Sequence, residues 1–206
     1  MQSKILSRPT LPIIILTGAV LSLALLLYFV PKILTQRGSA PLIENIVTPS
    51  EQEQASSGLP VRLKIPLIKV DAVVEYVGLT SDGAMDVPKS QDDVAWFELG
   101  QRPGDNGSAA IAGHYGRKNK RASVFDNLYK LREGDKLYIE DDKGVTIPFV
   151  VRESRRYDPQ ADAPDVFSSN DGKSHLNLIT CEGVWNEALQ SYSKRLVVFT
   201  DREQIN

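Results

Sequence analysis

The chain has 206 residues, 42% of them apolar and 24% charged, which allows one substantial domain plus an appendage. A single cysteine excludes an internal disulfide, and no C-x-x-C or spaced Cys/His cluster offers zinc ligands. The net charge of −2 hides an asymmetry: four basic and no acidic residues lie in the first 37 positions, leaving −6 over the rest, so a nucleic-acid partner has no electrostatic support.

Residues 1–10 form a short N-terminus carrying Lys4 and Arg8. Residues 11–30 follow as "LPIIILTGAVLSLALLLYFV", an uncharged run that at about 1.5 Å per residue spans the ~30 Å hydrocarbon core of a bilayer. A cleaved signal peptide is the competing reading. Against it, the run exceeds the usual ~7–15-residue apolar region, and Pro41 follows the one passable cleavage site at Ala40. The reading is an uncleaved, single-pass transmembrane helix at the cell membrane, with the N-terminus cytoplasmic and the rest extracellular. Lys32 and Arg37 nearly balance Lys4 and Arg8, so charge alone does not set this orientation.

Residues 31–58 read as a flexible tether, most plainly in "GSAPLIENIVTPSEQEQASSG", which is too polar to bury a core of its own. Residues 59–206 form the folded domain. It reads as mainly β. Short runs such as "VRLKI", "AVVEYVGL", "SAAIAG", "KLYIE", "TIPFVVRES", "LNLIT" and "LVVFT" alternate with turn signals at Asp82-Gly83, Asn106-Gly107, Lys143-Gly144 and Asp171-Gly172. Seven or eight strands at this spacing imply a closed barrel or a sandwich. Ser123 is placed to cap one short helix with Val124, Phe125, Leu128 and Leu131 on one face.

The lone cysteine, Cys181, ends the strand run in "HLNLITCEGVW". It is a buried filler, half of an intermolecular disulfide, or a nucleophile. Of the two histidines, His175 lies six residues before it, roughly 20 Å away along a continuous strand. His114 closes "GSAAIAGHYG" between glycines, where a scaffold presents functional side chains, so His114 is the candidate partner. Arg195 opens "RLVVFT" after the loop that follows Cys181. If the flanking strands pair antiparallel, its guanidinium lies near the sulfur, placed to donate to a developing oxyanion.

"NLITC", with "AGH" upstream and an arginine opening a terminal strand, resembles the sortase family of cysteine transpeptidases. Against that family's T-L-x-T-C signature, Leu178, Thr180 and Cys181 match while Asn177 replaces the first threonine. The resemblance extends through "RLKIPLIKVDAVVEYVGL", "DGAMDVP", "AWFELGQRPGDNGSAAIAGHYG" and "SVFDNLYKLREGDKL", and "RPGDNGSAAIAGH" is most similar to the class lettered F, or to D and E. It implies a closed eight-stranded barrel with one or two short helices. It also implies cleavage of a Thr–Gly bond in an L-P-x-T-G-like sorting signal on a secreted protein. Cys181 is then the nucleophile, His114 the acid and base, and Arg195 the group that positions substrate and steadies the tetrahedral intermediate. The acyl group passes through a thioester to an amine on a cell-wall precursor or a pilin. No cofactor or metal enters this chemistry, and nearby acids are available to orient His114.

Thr180, Asn177 and Trp185 are candidate substrate contacts: Asn177 shares a strand face with Cys181, and Trp185 either packs or walls the groove. Glu182 raises the thiol pKa if it points inward and is read as facing solvent. Trp96 is read as packing, and the basic loop Arg117, Lys118, Lys120 and Arg121 as solvated. The chain carries no sorting motif and no C-terminal apolar tail, so it reads as the enzyme and not as its cargo. A sortase-fold thiol peptidase using water as acceptor, and a non-catalytic surface-binding β domain, are the alternatives.

Overall fold

Apolar residues at every second position give most of the strands one inward face, and eight strands close on themselves. The computed structural model describes residues 56–116 and 121–204. The strands are β1 (Pro60–Ile65), β2 (Val70–Val77), β3 (Val94–Phe97), β4 (Gly107–Gly113), β5 (Lys136–Asp141), β6 (Thr146–Tyr157), β7 (Ser174–Asn186) and β8 (Ser191–Arg202). They form a closed barrel in the order β1-β2-β3-β4-β7-β8-β6-β5, with β1 pairing β5 to complete the circle. β2 with β3 and β4 with β7 are parallel; the remaining pairs are antiparallel.

Leu63, Ile65, Ile139, Phe149, Leu178 and Val198 point into the barrel and are essentially inaccessible to solvent. Each such burial is worth ~1.5–3 kcal/mol relative to exposure. Trp96 joins this core and donates its indole N–H to the Gln101 carbonyl (2.9 Å), the packing role expected for it.

β4 is buried on both faces, which explains why "GSAAIAG" reads as continuous and not alternating. Its outer cover comes from the long crossover between β6 and β7. That crossover contains one helical turn, α1 (Pro164–Phe167), opened by a proline whose missing N–H costs nothing there. Val166 of α1 packs on Val197 and Phe199 of β8, with Ile179, Ala163 and Tyr157 against them. Asp165 fastens the same turn to β6 by accepting from Arg155 (2.7 Å) and the Tyr157 hydroxyl (3.1 Å).

Two expectations are corrected here. The helix expected to start at Ser123 is a turn followed by a 3-10 turn at Leu128–Lys130. The Ser123 hydroxyl lies against the Gly116 carbonyl and the Gln91 amide, so it caps nothing; Phe125, Leu128 and Leu131 are buried as expected. The last residues assigned to the tether are also fixed: the Ser57 N–H donates to Asp105 (2.8 Å) and the Gly58 N–H to buried Asp141 (3.0 Å). His175 lies, as expected, at the end of β7 away from Cys181, held by Asp201 (2.7 Å) and by Asp171 (3.0 Å); the contact with His175 keeps the Asp171 carboxyl well below the usual carboxylate range. The membrane segment at 11–30, the tether up to residue 55, and Arg117, Lys118 and Lys120 lie outside the described residues. Among the described residues no helix is long and apolar enough to cross a membrane.

Candidate active site

Strand register brings the chemistry together. The parallel ladder pairs Gly107 with Ser174 and runs in step to Ala112 opposite Ile179. Continued two residues at the same offset, it aligns His114 with Cys181. On the other side of β7, Cys181 pairs directly with Arg195 of β8. Alternation then sets direction: Ile111, Leu178 and Leu196 face the core, so His114, Cys181 and Arg195, each an odd number of residues away, face outward. All three line one cleft of about 610 Å³. Its walls are the β2–β3 loop (Met85, Val87), the α1 segment (Ala163, Val166) and the β7–β8 hairpin (Trp185, Tyr192).

The imidazole of His114 is half-buried, and its Nε2–H donates to the backbone carbonyl of Pro88 (2.7 Å). A carbonyl only accepts, so Nε2 carries the proton and Nδ1 is the nitrogen left for exchange with reacting groups. The group that orients His114 directly is this carbonyl and not one of the nearby acids available for that role.

Arg195 is tethered by its own strand end. Its guanidinium donates to the carbonyls of Tyr192 and Lys194 (3.2 Å each) and to the Ser191 hydroxyl (3.1 Å), which leaves part of the fork for a substrate oxygen. Burial pushes the Cys181 thiol up, and the Arg195 charge offsets part of that rise. Because Cys181 is the only cysteine, its alkylation is readable in the whole protein. The iodoacetamide rate is expected to rise with pH through a midpoint above the ordinary ~8.5. Arg195→Ala removes the one lowering influence, so it moves the midpoint further up; a downward move would contradict this electrostatic picture.

The candidate contacts divide. Trp185 walls the cleft, its ring 5.1 Å edge-on from Tyr192, which in turn meets Tyr115 at 5.2 Å. Tyr115 and Tyr192 went unassigned in the sequence, although each lies within three residues of His114 or Arg195. Thr180 borders the cleft, but its hydroxyl donates to the Gly113 carbonyl (2.7 Å), so it fastens β4 to β7 beside His114 and has no free donor for substrate. Asn177 is corrected outright. It is 1% exposed, lies off the cleft, and donates to the Val166 carbonyl (2.7 Å), anchoring α1. Glu182 is also not a solvated group. Arg156 grips it through Nε and Nη2 (2.6 and 3.0 Å), which neutralises a carboxylate adjacent in sequence to Cys181.

A sortase domain model matches residues 63–203, more than half of the chain. The chain belongs to the sortase family, whose members are cysteine transpeptidases. The barrel is similar to a lid mutant of sortase A from Corynebacterium diphtheriae, at 23% identity over 75% of each chain with a TM-score of 0.56. It is also similar to Streptococcus agalactiae sortase C1 in complex with MTSET, at 26% identity over 70% of this chain and 67% of that one, TM-score 0.54. Sortase C-1 from Actinomyces oris gives 25% identity over 71% of this chain and 75% of that one, TM-score 0.54. A search of curated proteins finds no match. These neighbours are sortases of the A and C types; the family, and not a class within it, is what the match establishes.

Proposed function

We propose that this protein is a membrane-anchored transpeptidase that cleaves the Thr–Gly bond of an L-P-x-T-G-like sorting signal and passes the acyl group to an amine of a cell-wall precursor or a pilin. The observation that carries the reading is the meeting of His114, Cys181 and Arg195 on one outward-facing rung, at the floor of a cleft sized for a peptide. The apolar wall of Val166, Ile179, Ala163 and Val197 suits the Leu-Pro end of such a signal.

The Cys181 thiol gives its proton to Nδ1 of His114 as the sulfur attacks the threonine carbonyl carbon and a C–S bond forms. Arg195 stabilises the oxyanion by donating into the charge as it grows. The C–N bond to glycine then breaks, with the imidazolium of His114 giving its proton to the departing amine. The thioester is opened by the incoming amine, whose proton returns to His114 as the thiolate leaves. The uncharged run at 11–30 is assigned as the anchor holding this cleft on the extracellular side.

The test is mass spectrometry of the full chain in detergent micelles with L-P-x-T-G-like peptides and a panel of amines. A cleaved Thr–Gly bond, an acyl adduct on Cys181 and an amine-dependent amide product are expected. An acid product at a rate indifferent to amines would make the protein a hydrolase. No adduct and no cleavage across the peptide panel would overturn the reading.

A further inference from the structure

Among the described residues His114 has no carboxylate within hydrogen-bonding distance, yet one acid reaches it through a single peptide group. The carbonyl of the Pro88–Lys89 peptide accepts from His114 Nε2 (2.7 Å). The N–H of that same peptide donates to Glu75 Oε1 (3.0 Å), and the following N–H, of Ser90, donates to the same oxygen (3.3 Å). Glu75 stands on β2, half-buried and paired with Ala95 of β3, so its carboxylate is fixed by the barrel and not by the loop it holds. Pro88 is buried, and the neighbouring Gln91 carbonyl accepts from Val124 (2.9 Å), so the loop is fastened on both sides of the contact.

Resting on the proposed transpeptidase reading, we infer that Glu75 is a positioning residue for His114, acting through the Pro88–Lys89 peptide. Two effects follow from the chain of bonds. A carboxylate accepting from a peptide N–H draws electron density toward that peptide's oxygen, which strengthens the oxygen as an acceptor for the next donor. The same contact fixes where the oxygen sits, so the ring is held with Nε2 protonated and Nδ1 available. When His114 becomes an imidazolium during proton transfer, the Glu75 carboxylate is one peptide group away, on the far side of the carbonyl that the ring donates to. Glu75 thus supplies, across one amide, the orientation that a directly bonded acid supplies in other nucleophile–histidine sites.

The experiment uses the full chain with ¹⁵N-labelled histidine in detergent micelles, with His114→Ala assigning the ring signals. In the parent protein His114 is expected as the pure Nε2–H tautomer. Glu75→Ala is expected to give mixed tautomers and to lower kcat about tenfold to a hundredfold with KM nearly unchanged, the scale of a misplaced catalytic group. Glu75→Gln keeps an oxygen at the same place and is expected to restore the tautomer and most of the rate. Exchanging the Pro88–Lys89 amide for an ester, which deletes the N–H and weakens the carbonyl while leaving Glu75 intact, must reproduce the mixed tautomers, and it decides the matter if Glu75→Ala does not fold. An Nδ1–H tautomer in the parent, or an unchanged Nε2–H tautomer in both Glu75→Ala and the ester, would overturn the inference. The tautomer is read without turnover, so an inactive parent protein would sink the transpeptidase reading and leave this one to be judged separately.

Discussion

Cys181→Ala is expected to abolish both the acyl adduct and peptide cleavage, and Arg195→Ala to lower kcat by ~10²–10³-fold while altering KM little. The two losses differ in kind. Without the sulfur there is no C–S bond to form, and no other cysteine exists to take over. Without the guanidinium the attack still occurs, but the oxyanion it creates loses its charged donor. Arg195→Lys is expected to recover little of that rate. The Arg195 fork reaches Tyr192, Lys194 and Ser191 simultaneously and still presents N–H groups to the cleft, whereas a lysine ammonium is a point charge on a flexible stem. His114→Ala should cost ~10²–10⁴-fold, the range for a lost acid and base. Steady-state kinetics of the four variants with one sorting peptide make the check. Equal activity in Cys181→Ala, His114→Ala and Arg195→Ala would remove the catalytic assignment altogether.

The strands were legible wherever one face alone is buried. "VRLKI" and "KLYIE" alternate because β1 and β5 have solvent on their outer side. "SAAIAG" and "LVVFT" are apolar on both faces, since α1 covers the outside of β4 and β8; the sequence marks them as strands but does not say what covers them. α1 itself spans only Pro164–Phe167, too short for any helical period to show. That blind spot produced the misplacement of Asn177. Its strand face was read correctly, but the outer face divides between an open cleft at Cys181 and a covered region at Asn177, and the cover is set by residues eleven positions away.

The candidate site was legible for a different reason: scarcity narrowed the residues, and the resemblance to sortases supplied their roles. One cysteine and two histidines leave few pairs, and the hairpin from β7 to β8 puts Arg195 opposite Cys181 by simple antiparallel pairing. The partners of those residues were hidden. Pro88 acts through a backbone oxygen, which no side-chain identity advertises. Arg156 meets Glu182 across 26 residues of sequence because β6 and β7 both flank β8, a neighbourhood set by the strand order and not by local sequence. Local pattern finds residues that carry chemistry on their own side chains. It misses those that act by holding a backbone in place.

Gly113→Ala is expected to lower the melting temperature by ~3–10 °C, corresponding to ~1–3 kcal/mol of overpacking in a domain of this size. A methyl group at Gly113 would sit 2.7 and 2.8 Å from Cε2 and Cγ of Phe125, and closer still to Cδ2. Phe125 has no exposed surface, so its ring has nowhere to retreat. The Gly113 carbonyl receives the Thr180 hydroxyl, and the Phe125 N–H donates to the His114 carbonyl (3.0 Å), so displacing either residue moves the rung that aligns His114 with Cys181. Cleavage should therefore fall by more than the folded fraction explains. Phe125→Leu removes the colliding ring edge at its own cost in buried surface. Combined with Gly113→Ala, it should be less destabilised than the sum of the two single variants, with a coupling of ~0.5–3 kcal/mol. Thermal unfolding of the four proteins closes the cycle. Strict additivity would mean that the aromatic ring is not what excludes a side chain at position 113, and that the glycine beside His114 answers to some other constraint.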